Sequence, residues 1–299
     1  RHYRKRAKSW KNLIGRRMLR TGLETLEDRM LLANDFLNAV LAPIVPPESL
    51  IYRDDLTGDF AGVGETDSIS LPLDGGQKLS LVFTPQASSV VGTVRLLDAV
   101  GGELGSVSGG AGETLVLANI NIATPDDYVV SLVNSAGTGG YAVSIVLNAT
   151  LEGEDNNTLA TANSIQGSST ALPGTADRLA AVGELVDTEA DYFSFTLSAS
   201  VPTTLVLGST GGAKLTLLDG AGTALASAVS GEQVSQVIAG FVAGASGTFY
   251  ARVDGGASGS SESYSLTVVR GSEFSLEPNG DTQSAQNIDQ TQQVVGALG

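Results

Sequence analysis

The chain repeats itself at an interval of 121 to 124 residues, and this repeat restricts its fold more than any other feature. Four pairs of segments match in the same order along the chain. The matched pairs are 154–165 with 277–288, 67–71 with 191–195, 96–98 with 217–219, and 141–145 with 264–268. Such self-similarity is typical of tandem structural copies, so each copy of roughly 120 residues must fold as a unit of the same kind.

Within each copy, apolar and polar residues alternate with a period of two. In the segment 192–197, Phe193, Phe195 and Leu197 alternate with polar neighbours, which predicts a half-buried strand. The predicted strands are 79–83, 93–98, 113–117, 128–133 and 141–147 in the first copy, and 192–197, 203–207, 214–219, 233–238, 248–253 and 264–269 in the second. Because glycine-rich turns and no helical patterns separate them, we predict an all-β fold of tandem, jelly-roll-like antiparallel β-sandwiches.

The repeat and the charge pattern divide the 299 residues into four parts. We predict a short helical or disordered N-terminal segment at 1–46, a first sandwich at 47–150 and a second at 151–271. Residues 272–299 are predicted to start a third copy that is truncated. The chain is therefore expected to be part of a larger polypeptide.

The composition excludes several kinds of catalysis. The chain has no Cys and a single His, His2, so it offers neither a thiol nucleophile nor a disulfide framework. A Ser-His-Asp triad would need His2 of the N-terminal segment as its base. The carboxylate pairs Asp187/Asp191 and Asp126/Asp127 leave glycoside hydrolysis open as an alternative, although the single Trp, a residue that stacks on sugars, lies in the N-terminal segment. We predict that the chain is not an enzyme.

Charge is distributed unevenly along the chain. Residues 1–29 hold 10 basic and 3 acidic side chains, whereas the rest of the chain holds 7 basic and 29 acidic ones. The acidic body would repel a phosphate backbone, so nucleic acid is not an expected partner for it. The basic segment is interpreted as a targeting or solvated segment, with contact to anionic lipid or nucleic acid as the alternative. No apolar run approaches the ~20 residues of a transmembrane helix.

The segment 23–33, which reads LETLEDRMLLA, lies directly after the basic stretch. It closely resembles the LExLExRxLLA (LEPR-XLL-like) motif near the amino terminus of many large secreted or surface proteins of planctomycete bacteria. The resemblance covers about a tenth of the chain. It implies export from the cell, and hence a secreted or cell-surface location, and it assigns no catalytic residue.

The second copy resembles a bacterial pre-peptidase C-terminal (PPC) domain. The resemblance rests on the acidic lead-in 152–157 and the following 160–162, on 183–185, on the strand 191–195, and on 217–219, 247–253 and 264–266. With the first copy and the start of the third, it extends over about three-quarters of the chain. It implies a non-catalytic β-sandwich appended to an exported protein. Related collagenase modules bind collagen and calcium.

Two acidic clusters in the second copy suggest a calcium site, because calcium takes 6–8 oxygen ligands. The lead-in carries Glu152, Glu154, Asn156 and Asn157, and a loop entering a strand carries Asp187, Glu189 and Asp191. The resemblance to calcium-binding modules implies Glu152, Glu154, Asn156 and Asp191 as the metal ligands, with Asn157 replacing a carboxylate of the pattern. The alternative is a solvated acidic linker.

The other copies match this pattern less well. The third copy keeps Glu277, Asn279 and Asp281 but has Ser275 in place of Glu152. In the first copy we take 52–55 as the lead-in, which lacks the Glu/Asn pattern although Glu65 and Asp67 remain, so no calcium is expected there.

An aspartate and a tyrosine recur at equivalent positions in the two copies, and both are predicted to have structural roles. Asp98 and Asp219 each precede a glycine-containing turn and are predicted to cap it with their side chains. Tyr141 and Tyr264 each start the last strand of a copy and are predicted to be packing anchors with the hydroxyl at the rim.

The sequence thus predicts a non-catalytic extracellular or cell-surface module that acts as a spacer, a stabilising or an adhesive segment and binds calcium. Its expected partners are extracellular matrix, a surface polymer or a protein ligand. The alternative is a collagen- or carbohydrate-binding module attached to a secreted peptidase whose catalytic domain lies outside these residues.

Overall fold

The computed structural model describes residues 36–187, 189–255 and 261–296, with the side chains of 36–38 excepted. The 23–33 motif and most of the predicted N-terminal segment lie outside the described residues. The described part of the chain is almost entirely β-structure and contains no α-helix, which confirms the predicted fold class. Among these residues, no helix is long and apolar enough to cross a membrane.

Ten strands in the described part of the chain build the first sandwich. They are β1 (Phe36–Asn38), β2 (Ala42–Pro43), β3 (Tyr52–Phe60), β4 (Thr66–Leu73), β5 (Lys78–Pro85), β6 (Val91–Leu97), β7 (Glu103–Ala111), β8 (Leu115–Asn121), β9 (Asp126–Ala136) and β10 (Gly139–Leu147), with a 3-10 turn at Pro47–Ser49. Sheet A has the strand order β1-β4-β9-β6-β7 and sheet B the order β2-β3-β10-β5-β8. All pairings are antiparallel except the parallel pair of β1 with β4.

The second sandwich repeats the order of the long strands of the first. Its strands are β11 (Thr150–Leu151), β12 (Asn163–Ser164), β13 (Thr170–Ala171), β14 (Asp177–Val186), β15 (Ala190–Leu197), β16 (Pro202–Ser209), β17 (Lys214–Leu218), β18 (Ala224–Ser227), β19 (Gln236–Val242), β20 (Gly247–Asp254) and β21 (Ser261–Arg270), with a 3-10 turn at Gln166–Ser168. Sheet C has the order β11-β14-β21-β16-β19, with β13 also on β14, and sheet D the order β12-β15-β20-β17-β18. At one edge of sheet C, however, β11 adds in parallel to β14, and β13 pairs antiparallel with β14 as β2 does with β3. After it, β22 (Glu273–Phe274) pairs in parallel with β23 (Val294–Val295).

Each sandwich has its own apolar core, formed by the inward-facing residues of its two sheets. In the first core, the rings of Phe60, Phe83 and Tyr141 lie with centroids 4.6 to 6.2 Å apart. In the second, Phe193 and Phe195 are buried from β15 while Tyr192 and Thr196 face outward. The period-two alternation therefore correctly identified the core face of these strands.

The repeat of strand order changes the interpretation of residues 36–55. β1 and β2 pair with β4 and β3, although they precede residue 47, where the sequence placed the start of the first sandwich. Residues 52–55 are not a lead-in, because they belong to β3, the counterpart of β14. Because β1 pairs with β4 as β12 pairs with β15, positions equivalent to the lead-in 152–157 would fall before residue 36, outside the described residues.

The two sandwiches are joined by a small apolar junction rather than by a free linker. Ile51, Val146 and Ala149 from the first copy bury themselves against Ala180 and Val182 of β14. Hydrogen bonds cross the same boundary: Ser265 Oγ donates to the Val45 carbonyl at 2.7 Å, and Arg178 Nη2 donates to the Asn148 carbonyl at 2.9 Å.

Candidate metal centre

The lead-in of the second copy is fastened at both ends, which fixes where its carboxylates lie. The backbone N–H of Glu152 donates to the Val182 carbonyl at 3.0 Å, continuing the parallel pairing of β11 with β14. The N–H of Gly153 donates to Asn163 Oδ1 at 2.8 Å, and the N–H of Tyr192 donates to the Asn156 carbonyl at 3.0 Å. The lead-in therefore bridges sheet C and sheet D at one end of the sandwich.

Three carboxylates meet at this end of the sandwich. One oxygen each from Glu152, Glu154 and Asp191 can be chosen so that all three lie within 4.8 Å of one another. Asp191 is fully buried, Glu152 is half-buried and Glu154 is exposed, so the cluster opens to solvent on the Glu154 side. We call these three residues the carboxylate cluster.

Strand periodicity explains why Asp191 is buried. Asp191 is the second residue of β15 and shares its inward face with Phe193 and Phe195. Tyr264 occupies the equivalent inward position on β21, ahead of Leu266 and Val268. Because both strands direct these positions between the sheets, the carboxylate and the phenol meet inside the sandwich.

A set of donors orients two of the carboxylates. The Tyr264 hydroxyl donates to Asp191 Oδ2 at 2.6 Å and lies 3.2 Å from Glu152 Oε1. The Glu184 N–H donates to Glu152 Oε2 at 2.6 Å, and Asn156 Nδ2 donates to Glu152 Oε1 at 3.1 Å. Glu152 is therefore held by three separate segments.

Two buried oxygens near the cluster have no hydrogen-bond partner among the residues that the structure describes. They are Oδ1 of Asp191 and Oδ1 of Asn156, and both residues have no exposed surface. An unsatisfied buried acceptor costs free energy comparable to a lost hydrogen bond. Oxygens in this condition are suited to act as ligands of a cation.

The electrostatics of the cluster also favour a positive ligand. Burial, reinforced by the neighbouring Asp191, raises the pKa of Glu152 to about 8. Burial likewise raises the pKa of Asp191, and partial burial together with Asp191 and Glu189 raises that of Glu154. Among the described residues, no Lys or Arg forms an ion pair with these three carboxylates. Hence either a proton or a cation must relieve their mutual repulsion.

Gly183 provides the space in which the cluster forms. A Cβ at this position would collide with the Glu152 carboxylate and with the Tyr264 hydroxyl. Only glycine on β14 therefore allows Glu152 and Tyr264 to approach the strand so closely.

The structure brings together most of the metal ligands expected from the sequence and separates others. Glu152, Glu154 and Asp191 form the cluster, and Asn156 contacts Glu152. Asn157 and Asp187 are both exposed, and neither belongs to the cluster; Asp187 occupies a turn with φ of 58°. Glu189 instead accepts a hydrogen bond from the Val186 N–H. The predicted second cluster thus contributes only Asp191.

The Tyr264 hydroxyl, which contacts the carboxylate cluster, lies deeper in the sandwich than the sequence predicted. The hydroxyls of Tyr264 and Tyr141 were expected at the rim, yet both tyrosines are buried and each donates to the inward Asp of its own copy, Asp191 or Asp67. The signal was present in the alternation, because Asp67 and Asp191 begin the inward-facing series of their strands and each tyrosine belongs to the inward-facing series of its own strand. The Gly58, Asp67 and Tyr141 group is therefore the counterpart of Gly183, Asp191 and Tyr264.

The third copy repeats the lead-in but not the cluster. The Leu276 N–H donates to Gln286 Oε1 at 3.0 Å, as Gly153 does to Asn163, and the Asn279 amide lies 3.2 Å from Ser275 Oγ. Asp281 accepts hydrogen bonds from its own turn at Gln283 and Ser284. A hydroxyl thus stands where the second copy has the Glu152 carboxylate.

No family model matches the chain, and no curated protein matches it. Among solved structures, the chain is similar to PliG of Aeromonas hydrophila, a periplasmic inhibitor of g-type lysozyme, at 11% identity over 38% of this chain and 95% of that chain, with a TM-score of 0.29. It is also similar to the PBSX exported protein XepA, at 10% identity over 73% of this chain and 86% of that chain, with a TM-score of 0.28. A conserved protein of unknown function, PA5104 from Pseudomonas aeruginosa PAO1, is similar at 11% identity over 74% of this chain and 80% of that chain, with a TM-score of 0.26. Likenesses this low carry no argument about function.

Proposed function

We propose that this chain is a non-catalytic, calcium-binding pair of β-sandwiches in an exported protein. The observation that carries this proposal is the convergence of Glu152 and Glu154 of the lead-in with Asp191 of β15, with ligand oxygens within 4.8 Å of one another. Calcium–oxygen distances are about 2.3–2.6 Å, so ligands of one ion lie no more than roughly 5 Å apart. The three carboxylates have the spacing that one calcium ion requires.

The chemistry of the donors favours calcium over a transition metal. All the candidate ligands are oxygens: three carboxylates and the orphaned Oδ1 of Asn156. Hard cations prefer such oxygen sets, whereas zinc in proteins is bound mainly by Cys and His, and the described cluster contains neither. The exposed Glu154 leaves a path for the ion and for water ligands.

A calcium ion here would act on stability rather than on chemistry. It would tie the lead-in, which follows the junction between the sandwiches, to β15 of sheet D. This supports a role as a spacer or stabilising segment, located at the cell surface or in the medium as the N-terminal motif implies.

A second candidate function, the binding of a surface polymer or matrix protein, rests on the outer face of sheet D. Tyr192 and Tyr250 are half-buried on this face, and the Arg252 guanidinium lies 5.9 Å from the centre of the Tyr192 ring. Pull-down on collagen and polysaccharide beads distinguishes the adhesive role from the stabilising role. A Tyr192→Ala, Tyr250→Ala double variant would lose binding only if this face is adhesive.

Calcium titration tests the proposed function. We expect calcium to raise the melting midpoint relative to a chelator, because a ligand bound only by the folded state adds about 2.7 kcal/mol at 100 times its Kd. Glu154→Gln, at an exposed ligand, should abolish most of this shift, and so should Asp191→Asn.

The repeat supplies matched controls for both variants. Glu277→Gln changes the counterpart of Glu154, and Asp67→Asn the counterpart of Asp191; both should retain the full calcium shift. A wild-type chain whose midpoint and isothermal titration heats do not respond to calcium would contradict the proposal, as would an undiminished shift in Glu154→Gln.

A further inference from the structure

The first copy carries a small polar cluster on the outer face of sheet B. Arg53 Nε lies 3.1 and 2.9 Å from the two carboxylate oxygens of Asp55, and the Ser144 hydroxyl donates to the same carboxylate. Arg53 Nη2 lies 3.5 Å from Ser144 Oγ. One carboxylate therefore satisfies both an arginine and a hydroxyl.

The strand register places three residues of the second copy, Arg178, Ala180 and Thr267, at the positions that the polar cluster occupies in the first copy. In sheet B, Asp55 pairs with Ser144 and lies two residues after Arg53, on the same face of the strand. In sheet C, Ala180 pairs with Thr267 and lies two residues after Arg178, again on the same face. Arginine and hydroxyl are thus kept, but a methyl group replaces the carboxylate.

The consequence is a set of polar atoms without partners. Arg178 Nε, Arg178 Nη1 and Thr267 Oγ1 are buried and have no hydrogen-bond partner within the described part of the chain, while Arg178 Nη2 donates to the Asn148 carbonyl. Both residues are 1% exposed. Among the described residues, no carboxylate forms an ion pair with Arg178.

Burying an isolated guanidinium lowers the stability of the fold. Burial lowers the pKa of Arg178 to about 10, an effect that the Coulomb interaction with Tyr52 partly opposes, so at neutral pH the group is still charged. Buried charges in proteins are paired, because the desolvation of an unpaired ion costs several kcal/mol. The atoms left unpaired can all donate, and a small anion satisfies both the charge and the donors.

We propose that a halide-sized anion, chloride under ordinary conditions, binds between Arg178 Nε, Arg178 Nη1 and Thr267 Oγ1, in the place that the Asp55 carboxylate takes in the first copy. This site is separate from the carboxylate cluster and of opposite charge. Because Arg178 also holds the Asn148 carbonyl of the first copy, the anion stabilises the junction between the sandwiches.

Melting at constant ionic strength, with sodium chloride exchanged for sodium gluconate, tests the anion site. Wild-type protein should gain ~3 °C in melting midpoint, saturably with chloride, because the anion binds only the folded state. Arg178→Met should lose this gain and still fold in gluconate, since an apolar side chain replaces a buried ion at little cost. Thr267→Val should reduce the gain.

Two controls make the outcome specific. Arg53→Met, at the half-exposed counterpart in the first copy, should keep the whole chloride response. Crystals grown in bromide should show an anomalous peak within hydrogen-bonding distance of Arg178 Nε. The proposal is overturned if wild type does not respond to chloride, if Arg178→Met responds as wild type does, or if the bromide peak is absent.

Discussion

Gly183 controls the geometry of the carboxylate cluster. Its missing side chain lets the Glu152 carboxylate and the Tyr264 hydroxyl lie directly against β14. Gly58 does the same for the Tyr141 ring in the first copy, where the described residues provide no glutamate at the corresponding place. The two glycines therefore have a shared packing role, and only one of them also shapes the candidate metal centre.

Gly183→Ala should separate these two roles. We expect overpacking to lower the free energy of unfolding by about 1–3 kcal/mol, because the new methyl group displaces Tyr264 and Glu152. Calcium affinity, measured by isothermal titration, should fall at least about tenfold, as is common when the supports of metal ligands are disturbed. Gly58→Ala should lower stability similarly and leave calcium affinity unchanged; an equal loss of affinity in both variants would contradict this assignment.

The hairpin turns that follow β6 and β17 are each stabilised by an aspartate side chain that accepts hydrogen bonds from the backbone of the turn. Asp98 Oδ1 accepts the N–H groups of Val100 and Gly102 at 3.0 and 2.6 Å. Asp219 Oδ1 accepts those of Ala221 and Thr223 at 2.9 and 2.8 Å. The predicted capping of both turns is thereby confirmed. The hydrogen bond from the Thr223 N–H is the main cause that holds the pKa of Asp219 below its usual value.

Asp219→Ala should destabilise the second sandwich in a pH-dependent way. A carboxyl with a lowered folded-state pKa stabilises the fold above its unfolded pKa of about 3.9, and loses that contribution as the pH falls through the lower value. The difference in urea midpoint between wild type and variant should thus be present at pH 7 and shrink below about pH 4. Asp98→Ala removes the corresponding cap in the first copy and should lower the urea midpoint at pH 7. Equal midpoints for wild type and Asp219→Ala at pH 7 would refute the capping role.

The junction connects the two sandwiches through a buried apolar cluster. Ile51, Val146, Ala149, Ala180 and Val182 are buried there although they belong to neither core. The outer face of sheet C is covered further by Leu50 and by Phe274 and Val295 of the final strands. Coupling of this kind should make unfolding cooperative across the boundary.

Ile51→Ala should weaken that coupling. Removing a fully buried Ile costs about 2–5 kcal/mol, here at the junction rather than in a core. We expect differential scanning calorimetry to show one endotherm for wild type and two partly separated endotherms for the variant. Val100→Ala, at a residue that is 92% exposed, should leave the single endotherm in place. Two endotherms in the wild-type protein would show that the junction does not couple the sandwiches.

Much of the β-structure could be predicted from local pattern. β15 alternates regularly and its inward face was identified correctly, and β21 was predicted as a strand at 264–269. Strands without such a pattern were missed: β7 is an exposed, glycine-rich edge strand, and β1 and β2 are too short to show a period. β14 was missed because it is buried on both faces, so it has no alternation to read.

The sequence by itself determined the repeat, the sandwich fold and which oxygen-bearing residues could serve as ligands, because spacing and alternation are local properties of the chain. Only the tertiary structure decided which of those residues meet. It placed Asp191 beside Glu152 and Tyr264, and excluded Asp187. It also buried Arg178 while leaving its counterpart Arg53 half-exposed. Burial of a polar residue depends on which distant segment covers its face, and no local pattern contains that information.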